Sequence, residues 1–324
     1  MAEDRYDNDE YYFDDEALSG RGLPLLLNRS HFAKRAGLEE DVVLDLIEHK
    51  EAHYQQALIP KKSGGMRVLW CPDTSMKKAQ KYILREILEK LPISSHAMGF
   101  VRGRSILDNA RVHTGKQTVI NMDLQNFFPG IHYKQVYEIF HYHGYDSHAA
   151  DLLTSLCTFN NRLPQGAPTS PALSNLVCLK LDKRLAGLAR TYHADYTRYA
   201  DDITFSGNYG IDHLVQLASN IIADEEFKVN WSKTRIAYEY QKQMVTGLNV
   251  NDGCVTVDKK YLKRLRQEIY YCRKYGVRDA RAYKWQPVGN YRQELYGKAC
   301  FIYMVDREAG RKILEELGEI DWIC

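Results

Sequence analysis

Thr197-Arg198-Tyr199-Ala200-Asp201-Asp202-Ile203-Thr204-Phe205 is the stretch that decides the fold. Apolar and β-branched residues flank two acids on either side, so residues 196–205 read as strand, tight turn, strand. Adjacent carboxylates repel each other and favour a cation between them. An Asp-containing β-turn is the plain alternative, because ordinary turns also collect Asp.

A second stretch changes the weight of the first. Val119-Ile120-Asn121-Met122-Asp123-Leu124-Gln125-Asn126-Phe127-Phe128-Pro129 is an apolar strand closing on an acid and followed by paired aromatics. A strand over 117–123, packed beside the hairpin, would bring Asp123 to Asp201 and Asp202. Three carboxylates offset much of the charge of two Mg²⁺ ions, which take hard oxygen ligands. Two such ions, roughly 3.5–4 Å apart, activate an attacking hydroxyl and stabilise a leaving pyrophosphate. The backbone carbonyl of Leu124 is a further candidate ligand.

Outward from these segments the pattern alternates helices with a few strands. Ser30 is a candidate cap for a first helix, and a second is expected over 39–54. Gly64-Gly65 between two alternating runs predicts a hairpin. Ile83, Ile87 and Leu91 at helical spacing predict a helix over 75–91. Helices are also expected over 133–145, 147–159, 170–190 and 211–223. Residues 163–171 are a loop rich in proline and glycine. Residues 245–257 read as a hairpin turning at Asn251-Asp252-Gly253. From Lys259 onward the chain reads as helical. The fold class is α+β with a helical C-terminal part.

Composition sets the outer limits. The chain has 324 residues, 44% of them hydrophobic, enough for a real core in one large domain or a few packed subdomains. No apolar run reaches the roughly 18 residues of a membrane span. The first ten residues are acidic and polar, so no secretory signal is expected and a cytoplasmic setting follows. Seven cysteines, none in a C-x-x-C pair, argue against a disulfide framework or a zinc ribbon. His141, His143 and His148 read as a solvated helix face rather than metal ligands. Residues 1–16 carry eight acids and one base, and residues 259–284 carry ten bases and two acids. The basic stretch is interleaved with Tyr261, Tyr270, Tyr271, Tyr275 and Tyr283. It reads as a solvated helix face or as a nucleic-acid surface.

Asp123 with its aromatics, Leu163-Pro164-Gln165-Gly166-Ala167-Pro168-Thr169-Ser170-Pro171, and Tyr199-Ala200-Asp201-Asp202 resemble, in order and spacing, the core motifs of reverse transcriptases. The resemblance runs from about residue 30 to 310. It implies a right-hand polymerase: fingers, a palm with an antiparallel sheet, and a helical thumb. The implied boundaries are a disordered acidic segment at 1–22, N-terminal helices and fingers at 23–118, a palm at 119–257 with a fingers insertion at about 145–170, and a thumb at 258–324.

The resemblance also implies roles. Asp123, Asp201 and Asp202 hold two Mg²⁺ ions with the Leu124 carbonyl, Asp202 taking the lesser part. Lys61 and Arg67 clamp the triphosphate of the incoming dNTP, although Lys61 also reads as a plain surface lysine. Phe128 is an aromatic gate against a 2′-hydroxyl, with Phe127 beside it in the core. Gln165 packs near the incoming nucleotide, and Gly166 and Pro168 shape its loop. Lys233 is either a general acid for pyrophosphate or one half of a structural salt bridge. Lys259, Lys260, Lys263, Arg264 and Arg266 lie on the thumb helix that tracks an RNA–DNA duplex.

Two further segments resemble retron reverse transcriptases in particular. Asn109-Ala110-Arg111-Val112-His113 matches an N-A-x-x-H signature, and Val245-Thr246-Gly247 matches a V-T-G triplet. The RNA or primer contacts then include Asn109, His113, Val245, Thr246 and Gly247. Asn109 also reads as a helix cap, and His113 as a satisfied core histidine. The resemblance implies a cognate structured non-coding RNA as template and primer, and a start from a guanosine 2′-hydroxyl. The product is a branched RNA–DNA hybrid. An effector protein, a role in anti-phage defence and a separate host RNase H are further implications. Another bacterial reverse transcriptase, intron-type or diversity-generating, and an RNA-binding scaffold for an effector are the alternatives.

Overall fold

The computed structural model describes residues 18, 20–60, 64–208, 210–277 and 291–322. The chain divides into two compact units. One comprises Met1–Val101, Leu124–Leu185 and Ala218–Asn230; the other comprises Arg102–Asp123, Ala186–Leu217 and Trp231–Cys324.

The first unit holds a two-stranded hairpin and a layer of helices. Strands β1 (Tyr54–Pro60) and β2 (Met66–Pro72) pair antiparallel with Pro60 opposite Met66. The Gly-Gly signal therefore marks the turn as expected, with Gly64 at φ 89 and Gly65 at φ 79. Helix Thr74–Glu86 starts at Asp73, whose carboxylate accepts from the Met76 N–H at 2.8 Å. Ile83, Ile87 and Leu91 are all buried, but the α-helix ends at Glu86 and a 3₁₀ turn, Leu88–Lys90, completes the stretch. Gln80 ties this helix inward by donating to the Leu156 carbonyl and the Tyr54 hydroxyl, each at 2.8 Å.

Several predicted bounds shift, each for a local reason. The first helix is Arg29–Ala36, capped by Asn28 rather than Ser30; the Asn28 side chain accepts from the His31 N–H. The second stops at Glu48, because Lys50–His53 tightens into 3₁₀ and Tyr54 already begins β1. The predicted 170–190 helix is two, Ser170–Val177 and Leu179–Thr191, parted at Cys178. His143 is buried, with its Nδ1 2.7 Å from Arg21 Nη1, so it does not lie on a solvated face.

The second unit is built on a four-stranded antiparallel sheet of order β4-β5-β3-β6. Its strands are β3 (Thr118–Asp123), β4 (Asp195–Tyr199), β5 (Asp202–Gly207) and β6 (Arg235–Tyr238). A small hairpin, β7 (Met244–Val245) with β8 (Leu248–Asn249), turns at Thr246-Gly247. The predicted turn is present in part: Asn249 and Thr256 bridge antiparallel, with reciprocal N–H···O bonds at 2.9 Å, around a 3₁₀ turn at Asn251–Gly253, while the paired strands of the hairpin lie upstream of it. Thr246 and Gly247 have φ 46 and φ 85, the positive pair that a tight two-residue hairpin needs. Val245, Leu248 and Val250 pack with Leu107, Ala110 and Val119.

Helices Lys259–Tyr275, Tyr291–Val305 and Arg307–Gly318 share one apolar core around Leu265, Ile269, Leu295, Ile302, Ile313 and Leu317. A Cβ on Gly310 would run into the Tyr303 Cα, so the last two helices touch backbone to backbone. No helix among the described residues is long and apolar enough to cross a membrane.

Candidate active site

Strand register sets two of the three aspartates opposite each other and leaves the third at the adjoining turn. Asp123 ends β3 directly opposite Asp202, which begins β5. Tyr199 pairs with Asp202 across a two-residue turn, leaving Ala200 and Asp201 at its tip. Ala200 bends back with φ 57, a conformation an alanine adopts at a cost of roughly 1 kcal/mol. The turn is held from behind by Arg198, fully buried, whose Nη1 donates to the Ala200 carbonyl at 3.1 Å.

Charge crowding follows from this placement. Asp202 is exposed as a residue, yet partial desolvation of its carboxyl, helped by the charges of Asp201 and Asp123, pushes it up to about 6. Lys233 pulls weakly the other way. Asp123 is 5% exposed, and its Oδ2 accepts from Lys233 Nζ at 2.7 Å. That hydrogen bond, ahead of the surrounding acids, raises Lys233 above its ordinary value. Lys233 is thus paired with Asp123 across the sheet, a contact compatible with either of its two expected roles. The donors are hard carboxylate oxygens in mutual repulsion, the chemistry that suits Mg²⁺. They are not gathered into a closed cage: among the described residues no three His, Cys, Asp or Glu side chains stand close enough to hold an ion.

The residues expected to contact RNA divide sharply. His113 has no exposure; its Nδ1 meets Ser206 Oγ and its Nε2 meets Thr197 Oγ1, both at 2.7 Å. Desolvation lowers it to about 4, so the imidazole is neutral at pH 7. Asn109 is 1% exposed and its Nδ2 lies 3.5 Å from Thr246 Oγ1; Val245 has no exposure. An RNA contact through these three side chains is therefore corrected: at 0–1% exposure they face the protein interior, where His113 is bonded at both ring nitrogens and Asn109 Nδ2 faces Thr246 while its Oδ1 has no hydrogen-bond partner among the described residues. Thr246 and Gly247 do reach the surface, at a cavity beside Asp202. Thr246 Oγ1 also donates to the Ile106 carbonyl at 3.2 Å, so the two signature segments are physically one joint.

The first unit carries the other expected nucleotide-binding residues. Phe128 is half-buried, its ring 5.9 Å from Phe100 and 5.4 Å from Phe127. Phe127 is buried against Phe227, as a core residue should be. The Gln165 carbonyl accepts from the Trp70 N–H at 2.8 Å, and a Cβ on Gly166 would lie 2.8 Å from the Trp70 carbonyl oxygen. Gly166, at φ 125, is thus required both by its backbone and by this close approach. Arg67 is exposed on β2 near the hairpin tip. Lys61 lies outside the described residues. Leu124 is buried and bridged to Val229.

Helix Lys259–Tyr275 is two-faced. Leu265, Ile269 and Cys272 are buried, while Lys259, Lys260, Lys263, Arg264 and Arg266 are all exposed. None of these five makes an ion pair among the described residues. Arg235, Asn121 and Thr204 also line the cavity beside Asp202 and were not singled out from the sequence. The one signal for them is parity, since Asn121 and Thr204 stand two residues from Asp123 and Asp202 on alternating strands.

Comparison with known proteins identifies the family. The family described as "Reverse transcriptase (RNA-dependent DNA polymerase)" matches residues 59–267. The chain is 34% identical to the Retron Mx162 reverse transcriptase of Myxococcus xanthus, over 95% of this chain and 70% of that protein. It is 34% identical to the Retron Mx65 reverse transcriptase of the same organism, over 93% and 73%. It is 31% identical to the Retron Ec86 reverse transcriptase of Escherichia coli, over 96% and 94%. The motifs, the α+β fold with its antiparallel sheet and these relatives lead to one conclusion: the chain belongs to the reverse transcriptases, RNA-directed DNA polymerases, and among them to the retron reverse transcriptases.

Proposed function

We propose that this reverse transcriptase copies a cognate structured non-coding RNA into single-stranded DNA from a guanosine 2′-hydroxyl, giving a branched RNA–DNA hybrid. The observation that carries the catalytic part is the register of Asp123 opposite Asp202, with Asp201 at the adjoining turn. Asp123 and Asp201, with the Leu124 carbonyl and a lesser contribution from Asp202, would hold two Mg²⁺ ions. When bound, these ions supply Lewis acidity for the attacking hydroxyl and the leaving pyrophosphate.

The chain's own residues supply the rest. Lys233 holds Asp123 in place by its ion pair. Phe128 acts as the gate against ribonucleotides, and Gln165, Arg67 and Lys61 receive the dNTP. Lys259, Lys260, Lys263, Arg264 and Arg266 follow the duplex backbone, supported by their exposure and lack of ion-pair partners. Fingers at 23–118, a palm at 119–257 and a thumb at 258–324 are the corresponding assignment. A bacterial cytoplasm, an effector protein, a role in anti-phage defence and template removal by a separate host RNase H complete the proposal.

Asp201→Ala combined with Asp202→Ala should abolish DNA synthesis on copurifying RNA while RNA binding persists; unchanged synthesis would remove the catalytic assignment. Sequencing the nucleic acid that copurifies with the protein tests the start. A product without a 2′,5′ branch would sink that part alone.

A further inference from the structure

One face of the four-stranded sheet presents polar side chains in successive rows. Alternation puts Asp123 and Asn121 of β3 on the same face, opposite Asp202 and Thr204 of β5. Arg235 of β6 lies opposite Asn121 on the other side. The acids form one row; Asn121, Thr204 and Arg235 form the next, about 7 Å along the strands. An open cavity of about 400 Å³ lies over this second row and reaches Asp202, with Tyr199 and Thr246 in its wall.

The neutral groups of the second row are already bonded. Thr204 Oγ1 donates to Asn121 Oδ1 at 3.3 Å, and Asn121 Nδ2 donates to the Met244 carbonyl at 3.1 Å. Lys233 is engaged by Asp123. Arg235 differs. It is exposed, and among the described residues no acid or acceptor holds its guanidinium. An unpaired cation one row from three acids suits an anion that must lie close to those acids.

The branched start supplies such an anion. The attacking 2′-oxygen forms the new bond to the α-phosphorus of the incoming deoxynucleotide, its proton leaves, and pyrophosphate departs. The 3′-phosphodiester of that same ribose stays intact throughout. It has to be seated close to the reacting oxygen without displacing the acids that would hold the ions. We propose that Arg235 holds this 3′-phosphate while the cavity seats the ribose, so that Arg235 determines specificity for an internal 2′-hydroxyl start. The proposal rests on the 2′-hydroxyl start put forward above. A guanidinium fork matches a phosphate in two parallel hydrogen bonds, which a lysine cannot reproduce. A growing DNA end has no 3′-phosphate and makes no such demand.

The test uses two RNA oligonucleotides annealed to one RNA template, identical except that one ends in a 3′-hydroxyl and the other in a 3′-phosphate. Fluorescence anisotropy gives their affinities for the full-length wild type, Arg235→Met and Arg235→Lys, each first checked for folding by thermal unfolding. The wild type should bind the 3′-phosphate probe about tenfold more tightly. Arg235→Met should bind both equally, and Arg235→Lys should fall between. No preference in the wild type, or a preference that survives in Arg235→Met, overturns the role of Arg235. The readings beneath it fail separately. A wild type unable to extend a DNA-primed RNA template overturns the polymerase assignment, and unbranched copurifying DNA overturns the 2′-hydroxyl start.

Discussion

At Asp202 charge, solvation and pH meet in one carboxyl. An acid whose folded pKa exceeds its unfolded value adds stability only while it is protonated. For Asp202 that contribution is full below the unfolded value of 3.8 and is lost as pH rises through about 6. Asp202→Asn should therefore unfold at a higher temperature than the wild type at pH 8 in metal-free buffer, and the difference should vanish near pH 4. Equal melting at pH 8 would mean that the crowding is relieved in solution. His113 works in the opposite sense. Its folded value is about 4 against 6.5 unfolded, so its buried neutral form is favoured fully above 6.5 and stability is lost as pH falls towards 4. The loss is on the order of 3 kcal/mol. Denaturant unfolding at pH 7 and pH 4.5 should show a shallower acid loss in His113→Gln than in the wild type.

These two residues also mark what a sequence can disclose. The acids were legible because three of them end or join strands whose alternation is plain. The burial of His113 was not. Its partners Thr197 and Ser206 lie far along the chain, and only register brings them to it. Lys233 and Asp123, 110 positions apart, met for the same reason. Arg235 stood two positions from Lys233 with nothing in its neighbours to single it out.

At the scale of elements, turns decide more than strands do. The Asn251-Asp252-Gly253 signal is stronger locally than Thr246-Gly247, yet it closes only a single-bridge loop and the paired hairpin turns at the latter. Tertiary bonds account for this: Thr246 Oγ1 reaches the Ile106 carbonyl, and its flanking Val245 and Leu248 are buried. A β-branched residue at positive φ is strained, and the bond offsets the strain. Thr246→Val keeps the strain and loses the bond, so it should cost about 1–2 kcal/mol. Thr246→Gly loses both and should be close to neutral in denaturant unfolding; a larger cost for glycine than for valine would refute the strain argument. In the C-terminal helices, Gly310→Ala drives a methyl into the Tyr303 backbone. A loss of about 3 kcal/mol or more, with early proteolytic cutting after residue 290, is expected.

For the whole molecule, charge placement matters more than net charge. A formal +2 conceals an acidic start and a basic C-terminal helix. The exposed bases on that helix should set the salt dependence of RNA binding. Lys259→Ala, Lys260→Ala and Lys263→Ala together should lower the slope of log Kd against log salt by about 2 to 3, if each lysine neutralises one phosphate. A change in affinity with the slope preserved would place the RNA elsewhere.

The contact of Trp70 with Gln165 and Gly166 has a mechanical side. The Trp70 N–H is bonded to one residue of the loop and its carbonyl is pressed against the next. The β1–β2 hairpin and the Gln165 loop are therefore coupled like the two arms of a lever with its fulcrum at Trp70. Substitutions at Arg67 and Gln165 should therefore be non-additive in their effect on DNA synthesis, which a double-mutant cycle would measure.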